Sequence, residues 1–438
     1  MSKPLHIGLA GLGNVGVGVV KLLAQNADLI TRRAGRPITI TTVSARDRNR
    51  DRGADLSNFA WVDDATELAT RTDVDVVVEL IGGSDGPALT LARRTLAAGK
   101  AFVTANKAML AHHGLDLAAL AESHAAPLKY EAAVAGGIPI IKALREAMAA
   151  NRITRVYGLL NGTCNYILSR MEAERLDFSV VLIEAQAAGY AEADPSFDID
   201  GIDTAHKLSI LAALAFGTRI DFAAVATHGI RAIELADLDQ AAALGFRIKL
   251  VGLAEHENGT LFQRVHPALV PLDHPLAAAS GALNAVAAEG DFAGRLFLQG
   301  RGAGEGPTAS AVVADLIDLA RASRGNEWVR GITGHPFGMP VAALEPLPTA
   351  DPATRQGRYY LRLTVADRPG VLAELTASLR DHNVSIESLV QRGHTSGDAM
   401  IVMITHTAAE PQVLASLAQM ERSDAVTGPP VMMHILDF

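Results

Sequence analysis

The chain has 438 residues, 49% hydrophobic and 20% charged, a length that at roughly 100–200 residues per domain predicts two to four domains with cores of ordinary size. Its formal net charge of −9 argues against a general nucleic-acid binder, which needs a basic face to neutralise phosphates. A single cysteine, Cys164, excludes an intramolecular disulfide and fits a reducing, cytoplasmic setting, and neither a signal-peptide pattern nor an uncharged apolar run of about 18 residues is present, so no membrane span is expected.

LHIGLAGLG (5–13) reads as a strand entering a glycine turn, followed by a helical stretch from about Val15 to Ile30. ITITTV (38–43) is a β-branched strand, and VDVVVELIGG (74–83) is a buried strand ending in two glycines. LTLARRTLAAGK (89–100) is a helix closed by glycine, and AFVTANK (101–107) is another strand. Strands alternating with helices predict βαβ units on a parallel sheet. The middle changes character. A strand at 153–163 precedes a helical NYILSRMEAERL, and 204–216 is an apolar helix. Residues 247–267 read as two strands joined at Asn258-Gly259, a strong hairpin signal, and 283–300 as a second hairpin. Antiparallel strands with helices predict an α+β domain. A glycine-rich loop at 300–307 runs into a helix at 308–321. Segment 343–357 holds three prolines and few large apolar residues, and reads as a linker that lets the C-terminal residues fold separately. Those residues, 358–438, have the order βαββαβ, a ferredoxin-like module.

Gly11-Leu12-Gly13-Asn14-Val15-Gly16 is a G-x-G-x-x-G at the junction of a predicted strand and helix. The first glycine suits a tight turn, the second a close approach of backbone to a pyrophosphate, and the third close helix–strand packing. The plain alternative is a structural glycine turn. The second strand ends Val43-Ser44-Ala45-Arg46, without the acid that would bond the ribose hydroxyls of NAD. Arg46 therefore points to the 2′-phosphate of NADP, with NAD still open because Asp47 is adjacent. A solvated surface arginine is the alternative, as it is for the whole run RDRNRDR (46–52).

Five carboxylates fall within GYAEADPSFDIDGIDTAHKL (189–208). Asp203 and Lys207 are four apart at a helix start and share a face. Spacing alone leaves two readings open: a helix ion pair beside a solvated acidic loop, or an acidic pocket that binds an ammonium group and poises a lysine for proton transfer. Asp198-Ile199-Asp200-Gly201 lacks the following ligands of a calcium loop. Cys164 reads as a small packing residue rather than a nucleophile, and His206 lies off the Asp203–Lys207 face.

These segments, with ELIGG (79–83), TANKAML (104–110), YEAAVAGGIPII (130–141), NGTCNYIL (161–168) and GRGAGEGPTASAVVADL (300–316), resemble homoserine dehydrogenase over nearly the whole chain. The resemblance implies a Rossmann NAD(P)-binding domain at 1–130, to which the helix at 308–321 returns. It implies a substrate-binding and dimerisation domain at 131–307. The activity implied is the reversible NAD(P)-dependent reduction of L-aspartate 4-semialdehyde to L-homoserine. Lys207 is then the acid/base lysine and Lys107 a second functional lysine. Glu192, Asp198 and Asp203 hold the substrate's amino group and the lysine. Gly11 to Gly16, Arg46, Thr104, Lys107, Gly189 and Gly304 bind the cofactor. Glu131, with the backbone carbonyls of Val134, Gly136 and Ile138, resembles a monovalent-cation site, taken as Na+. The module at 358–438 resembles an ACT domain through Asp367-Arg368-Pro369-Gly370-Val371-Leu372 and Asn383-Val384-Ser385-Ile386. Such domains pair and bind amino acids, which implies L-threonine as effector and a homodimer or homotetramer; a pure dimerisation module is the alternative. No kinase segment precedes the glycine loop, so a monofunctional enzyme is expected. The competing functions are a dehydrogenase of the same architecture for another small amino or hydroxy acid, and a non-catalytic NADP and amino-acid sensor.

Overall fold

The computed structural model describes residues 3–324, 327–328, 334–351, 354–393 and 397–437. Strand β1 (Leu5–Ala10) is buried almost throughout, as a central parallel strand covered on both faces must be. With β2 (Ile38–Ser44), β3 (Ala60–Trp61), β4 (Val76–Glu79), β5 (Ala101–Thr104) and β6 (Leu128–Lys129) it forms an all-parallel sheet in the order β3-β2-β1-β4-β5-β6. The direction of winding reverses between β1 and β4, and the crevice beyond the carboxyl ends of the strands there is where such sheets bind ligands. Helices α1 (Asn14–Gln25), α2 (Ala27–Ala34), α3 (Pro87–Ala97) and α4 (Lys107–Ser123) flank the sheet. The single helix expected from about Val15 to Ile30 is two. It breaks at Asn26, which departs from helical dihedrals while its N–H still bonds the Leu22 carbonyl.

Beyond β6, the short α5 (Ile140–Lys142) leads to β7 (Ile153–Leu159), α6 (Gly162–Glu174), α7 (Phe178–Ala187), α8 (Ser196–Ile199) and α9 (Ile202–Phe216). After β8 (Ala226–Thr227) and α10 (Leu235–Ala243) come the hairpin β9 (Phe246–Glu257) and β10 (Thr260–Pro271), α11 (Pro275–Ala278), and the hairpin β11 (Leu283–Gly290) and β12 (Gly294–Arg301). Asn258 and Gly259 both take positive φ, 51° and 76°, which matches the twist of the hairpin they close. Helix α12 (Glu305–Ala322) then crosses back to α1. A Cβ at Gly18 would fall 2.8 Å from the Glu305 carbonyl oxygen, so this glycine sets how closely the two helices approach. A two-residue pair, β13 (Ser323–Arg324) and β14 (Glu327–Trp328), comes next.

The C-terminal module runs β15 (Gln356–Ala366), α13 (Val371–Asp381), β16 (Ile386–Gly393), β17 (Asp398–Thr405), the extra β18 (Ala408–Ala409), α14 (Glu410–Met420) and β19 (Val431–Ile435). Its antiparallel order is β19-β15-β17-β16.

The expectation of a free linker at 343–357 is corrected by the structure; residues 352 and 353 of that segment lie outside the described residues. Leu344 is buried, the Leu261 N–H donates to the Pro348 carbonyl at 2.8 Å, and the Ala350 N–H donates back to the Leu261 carbonyl at 2.9 Å. The last two residues of the segment already belong to β15. More consequentially, β19 pairs in parallel with β10 at Ala268↔His434 and Leu269↔Ile435, so both sheets join in one eleven-stranded sheet. Buried ion pairs cross the seam: Arg264 to Glu410 at 3.0 Å and Arg362 to Asp237 at 2.7 Å. Local composition marks prolines as a boundary, but the open edge of β10 takes a strand from far along the chain, as exposed edges tend to do. Among the described residues no helix is long and apolar enough to cross a membrane.

Candidate active site

The glycine loop lies at the carboxyl end of β1. Gly11 has φ 100°, and a Cβ there would be 2.5 Å from the Leu80 carbonyl oxygen. A Cβ at Gly16 would be 2.1 Å from the Gly11 carbonyl oxygen, so the third glycine seats α1 against the turn. Gly13 differs: nothing lies within 4 Å of its missing Cβ, and no side chain caps α1 behind it. The loop thus presents bare backbone and a helix N-terminus to open space, which fits a dinucleotide pyrophosphate. Arg46 is exposed just past β2. The run 46–52 is not merely solvated. Arg52 Nε donates to the Leu12 carbonyl at 3.1 Å, Nη1 to the Arg50 carbonyl at 2.7 Å, and Nη2 to the Asp47 carbonyl. Arg48 and Arg52 lie 5.4 and 5.9 Å from the Trp61 ring centroid. Arg52 therefore ties a basic loop to the glycine turn, a role that spacing in the sequence did not signal.

The ends of β4 and β5 are held by a buried carboxylate. Glu79 accepts from the Ile81 and Gly82 N–H groups at 2.7 and 3.0 Å and from the Thr104 hydroxyl at 2.6 Å. Thr104 in turn accepts from the Asn106 N–H, and Asn106 caps α4 by accepting from the Met109 N–H. Lys107 is consequently the first residue of α4, aimed from the parallel-sheet domain toward the second domain.

There it meets Asp203. Lys107 Nζ is 2.9 Å from one carboxylate oxygen of Asp203, and Lys207 Nζ is 2.6 Å from the other. Lys207 also donates to the Leu160 carbonyl at 2.7 Å. Asn161, which caps α6, donates to Asp203 at 2.9 Å and to Asp198 at 2.8 Å. Asp203 and Lys207 are buried, whereas the Lys107 side chain is 33% exposed. Burial alone would raise the Asp203 carboxyl, but the two ammonium groups hold it well below the usual carboxylate range. Burial pulls Lys207 below the usual lysine range more than Asp203 lifts it, and Lys107 adds to the depression. Lys107 goes the other way, raised by Asp203 against a smaller burial cost. Asp198 is raised by burial and by Asp203. The arrangement is a carboxylate clamped between two lysines that differ in proton affinity, where a developing alkoxide could be protonated.

Glu192 and Gly189 sit apart from this cluster, both exposed beyond α7. The Glu192 carbonyl accepts from Gln186, and its carboxylate reaches Lys107 only as a weaker field. Gly304 caps α12 with φ 113°. Cys164 is buried on α6 with its thiol pushed up by burial, so it packs rather than attacks. His206 stacks on Phe222 at 4.4 Å and is lowered to about 4 by burial and by His112.

Glu131 is buried at the domain joint. Its oxygens accept from the Ile141 and Lys142 N–H groups at 3.0 and 2.9 Å, and its own N–H donates to Asp315. Burial and the Asp315 charge raise its carboxyl to about 7. Val134 and Ile138 are buried in the following loop. A Cβ at Gly136 would be 2.5 Å from the Gly302 carbonyl oxygen, so glycine lets this loop lie against the turn before α12. Asp315 beside it lies 3.6 Å from Lys142 Nζ, and its Oδ1 has no hydrogen-bond partner among the described residues, which a small cation could satisfy. Asn161 and Glu79 were not singled out from sequence; Asn before Gly-Thr at a helix start is an N-cap signal that could have found the first.

Residues 11–131 match the family described as homoserine dehydrogenase, NAD binding domain; 139–317 match homoserine dehydrogenase; and 359–424 match the ACT domain. The chain is 44% identical over 436 residues to homoserine dehydrogenase of Neisseria gonorrhoeae, covering 99% of each, and 41% identical over 444 residues to that of Pseudomonas aeruginosa, again covering 99% of each. The chain belongs to the homoserine dehydrogenase family. A crystal structure of a homoserine dehydrogenase from Thiobacillus denitrificans superposes with a TM-score of 0.92 at 42% identity, covering 99% of both chains; one from S. aureus gives 0.75 at 31%, covering 100% of both. As a homoserine dehydrogenase the protein is an oxidoreductase acting on a CH–OH group, with an NAD(P)-binding domain, a catalytic domain and a C-terminal ACT domain.

Proposed function

We propose that the Asp203 cluster interconverts L-homoserine and L-aspartate 4-semialdehyde, with Lys207 as the proton carrier. The observation that carries this reading is the single buried carboxylate shared by Lys207 and Lys107 at 2.6 and 2.9 Å, with Lys107 at the start of the helix that follows β5. NADP(H), held by residues 11–16, Thr104, Gly189 and Gly304 with Arg46 at its 2′-phosphate, supplies or accepts the hydride when bound. Lys207, protonated, donates to the aldehyde oxygen as charge develops on it; neutral, it takes the hydroxyl proton in the reverse direction. Its depressed proton affinity makes both states accessible. Lys107 stabilises the same oxygen and orients the nicotinamide side. Asp203, with Asp198 nearby and Glu192 on the exposed loop beyond α7, holds the lysine and the substrate ammonium. Glu131, with the carbonyls of Val134, Gly136 and Ile138, holds a monovalent cation, Na+, that relieves the buried charge at the domain joint. The ACT domain, through the turn 367–372 and the loop at Asn383, binds L-threonine and lowers turnover in a dimeric or tetrameric assembly serving threonine, methionine and isoleucine synthesis.

The test is steady-state turnover of L-homoserine against other small hydroxy and amino acids, with NADP and NAD, with and without L-threonine. Preference for homoserine with NADP, and inhibition by threonine, is expected. Equal use of a different hydroxy acid would overturn the substrate assignment, and an unchanged rate with threonine would overturn the effector.

A further inference from the structure

The turn from β7 into α6 touches the Lys207–Asp203 pair twice. The Leu160 carbonyl accepts from Lys207 at 2.7 Å, and the next residue, Asn161, donates to Asp203 at 2.9 Å. The turn is held closely in place. A Cβ at Gly162 would fall 2.9 Å from the Ala282 carbonyl oxygen, so the glycine lets α6 begin against the segment before β11. Asn161 is only 5% exposed, and both ends of its amide are used. Its carbonyl oxygen accepts from the Cys164 N–H at 2.8 Å, which caps α6. Its two amide protons go to two different carboxylates, Asp198 Oδ1 at 2.8 Å and Asp203 Oδ2 at 2.9 Å.

Capping alone does not require this residue, because Ser, Thr and Asp also cap helices well. Ser and Thr carry one short hydroxyl, and Asp would set a third carboxylate beside two. Asn supplies an acceptor for the helix and two donors besides. The donors matter because the two carboxylates repel: Asp203 helps to raise the Asp198 carboxyl, and the bond from Asn161 lowers it. The bond to Asp203 has a further consequence. Asn161 and Lys207 donate to the same oxygen, Oδ2, whereas Lys107 takes Oδ1. The share of that oxygen's charge drawn by the amide is withheld from the Lys207 ammonium.

We infer that Asn161 is a positioning residue of the reaction, which holds two ionised carboxylates side by side and limits the grip of Asp203 on the Lys207 proton. The inference rests on the reading of Lys207 as proton carrier. The other charges facing Lys207 are Lys107 of α4, which disfavours its proton, and Asp198 of α8, which favours it. His206 beside it on α9, lowered to about 4, and the Cys164 thiol of α6, pushed up by burial, stay neutral at pH 7. Without Asn161, Oδ2 is left to Lys207, which then keeps its proton to higher pH.

The test is the pH profile of kcat in both directions for wild type, Asn161→Ser, Asn161→Leu and Asp203→Asn, with thermal unfolding of each. Asn161→Ser keeps a capping oxygen but reaches neither carboxylate, and Asn161→Leu leaves no room for a water in place of the amide. Both limbs should move up by about half a pH unit or more in the Asn161 variants, against the downward move in Asp203→Asn. A residue that only caps α6 would lower the unfolding midpoint and leave the limbs in place. Limbs that stay put or fall in Asn161→Leu, while Asp203→Asn moves them, overturn the inference and leave Lys207 as the proton carrier. Limbs unmoved in every variant overturn that reading and the inference with it. Should Asn161→Leu not fold, Asn161→Ser decides.

Discussion

Asp203→Asn keeps the size of the side chain and removes the charge that Lys207 and Lys107 share. A carboxylate and an ammonium about 4 Å apart attract by on the order of 4 kcal/mol at an effective dielectric of about 20, and the two lysine nitrogens here lie 2.6 and 2.9 Å from the carboxylate oxygens. Lys207 already titrates below the usual lysine range, because burial outweighs the pull of Asp203. Without that anion, burial and repulsion from Lys107 are opposed only by the weaker field of Asp198, and the proton leaves at lower pH. Reduction of the aldehyde needs the protonated lysine, so its high-pH limb moves down and its rate at neutral pH falls by roughly a hundredfold, the usual size of a lost acid. Oxidation of the alcohol needs the neutral lysine, so its low-pH limb moves down as well. A displacement of more than about one pH unit, the equivalent of roughly 1.4 kcal/mol, is expected in both limbs. The assay is the pH profile of kcat in each direction at saturating substrate and cofactor, with thermal unfolding to show that the variant is folded. If activity falls while both limbs stay where the wild type has them, Asp203 does not set the proton affinity of Lys207, and the reasoning fails.

Glu131 gives a stability prediction. Its folded value of about 7 lies above the ordinary 4.5. Stability is therefore fully present below about pH 4.5 and is lost as pH rises through 7, by roughly 3 kcal/mol. Na+ in place of tetramethylammonium should raise the unfolding midpoint more at pH 8 than at pH 6, and Glu131→Gln should erase the difference; an identical response to both ions would remove the cation from the account. Arg46→Ala should raise KM for NADP far more than for NAD, whereas Arg52→Ala should weaken both, because it frees the loop tied to Leu12. An equal effect of Arg46→Ala on the two cofactors would take it away from the 2′-phosphate. A chain ended at residue 342 should unfold at a lower temperature and associate, since it strips β19 from β10 and leaves Arg264 without Glu410; an unchanged midpoint would contradict a shared sheet.

What was legible in the sequence is what short-range pattern encodes. The glycine fingerprint, the Asn258-Gly259 hairpin and the βαββαβ order of the last module each rest on a few adjacent residues, and each has its expected backbone in the structure. The pairing of Asp203 with Lys207 was visible as an i, i+4 spacing. The approach of Lys107 was not, because it depends on α4 starting where Glu79 and Thr104 pin the ends of two strands, and on a domain joint distant in the chain. The seam was hidden for the same reason. Nothing in prolines 346, 348 and 352 says that a strand at the far C-terminus will complete the edge of β10. Arg52 looked like one charge in a solvated run, and only the fold shows its guanidinium turned onto the glycine loop.

The most direct test of the account is turnover by Lys207→Ala, measured beside NADPH binding to the same variant. Oxidation of L-homoserine should fall by at least about a hundredfold while the cofactor still binds with wild-type affinity. Turnover within a fewfold of wild type would show that the proton moves by another route, and would contradict the assignment of Lys207.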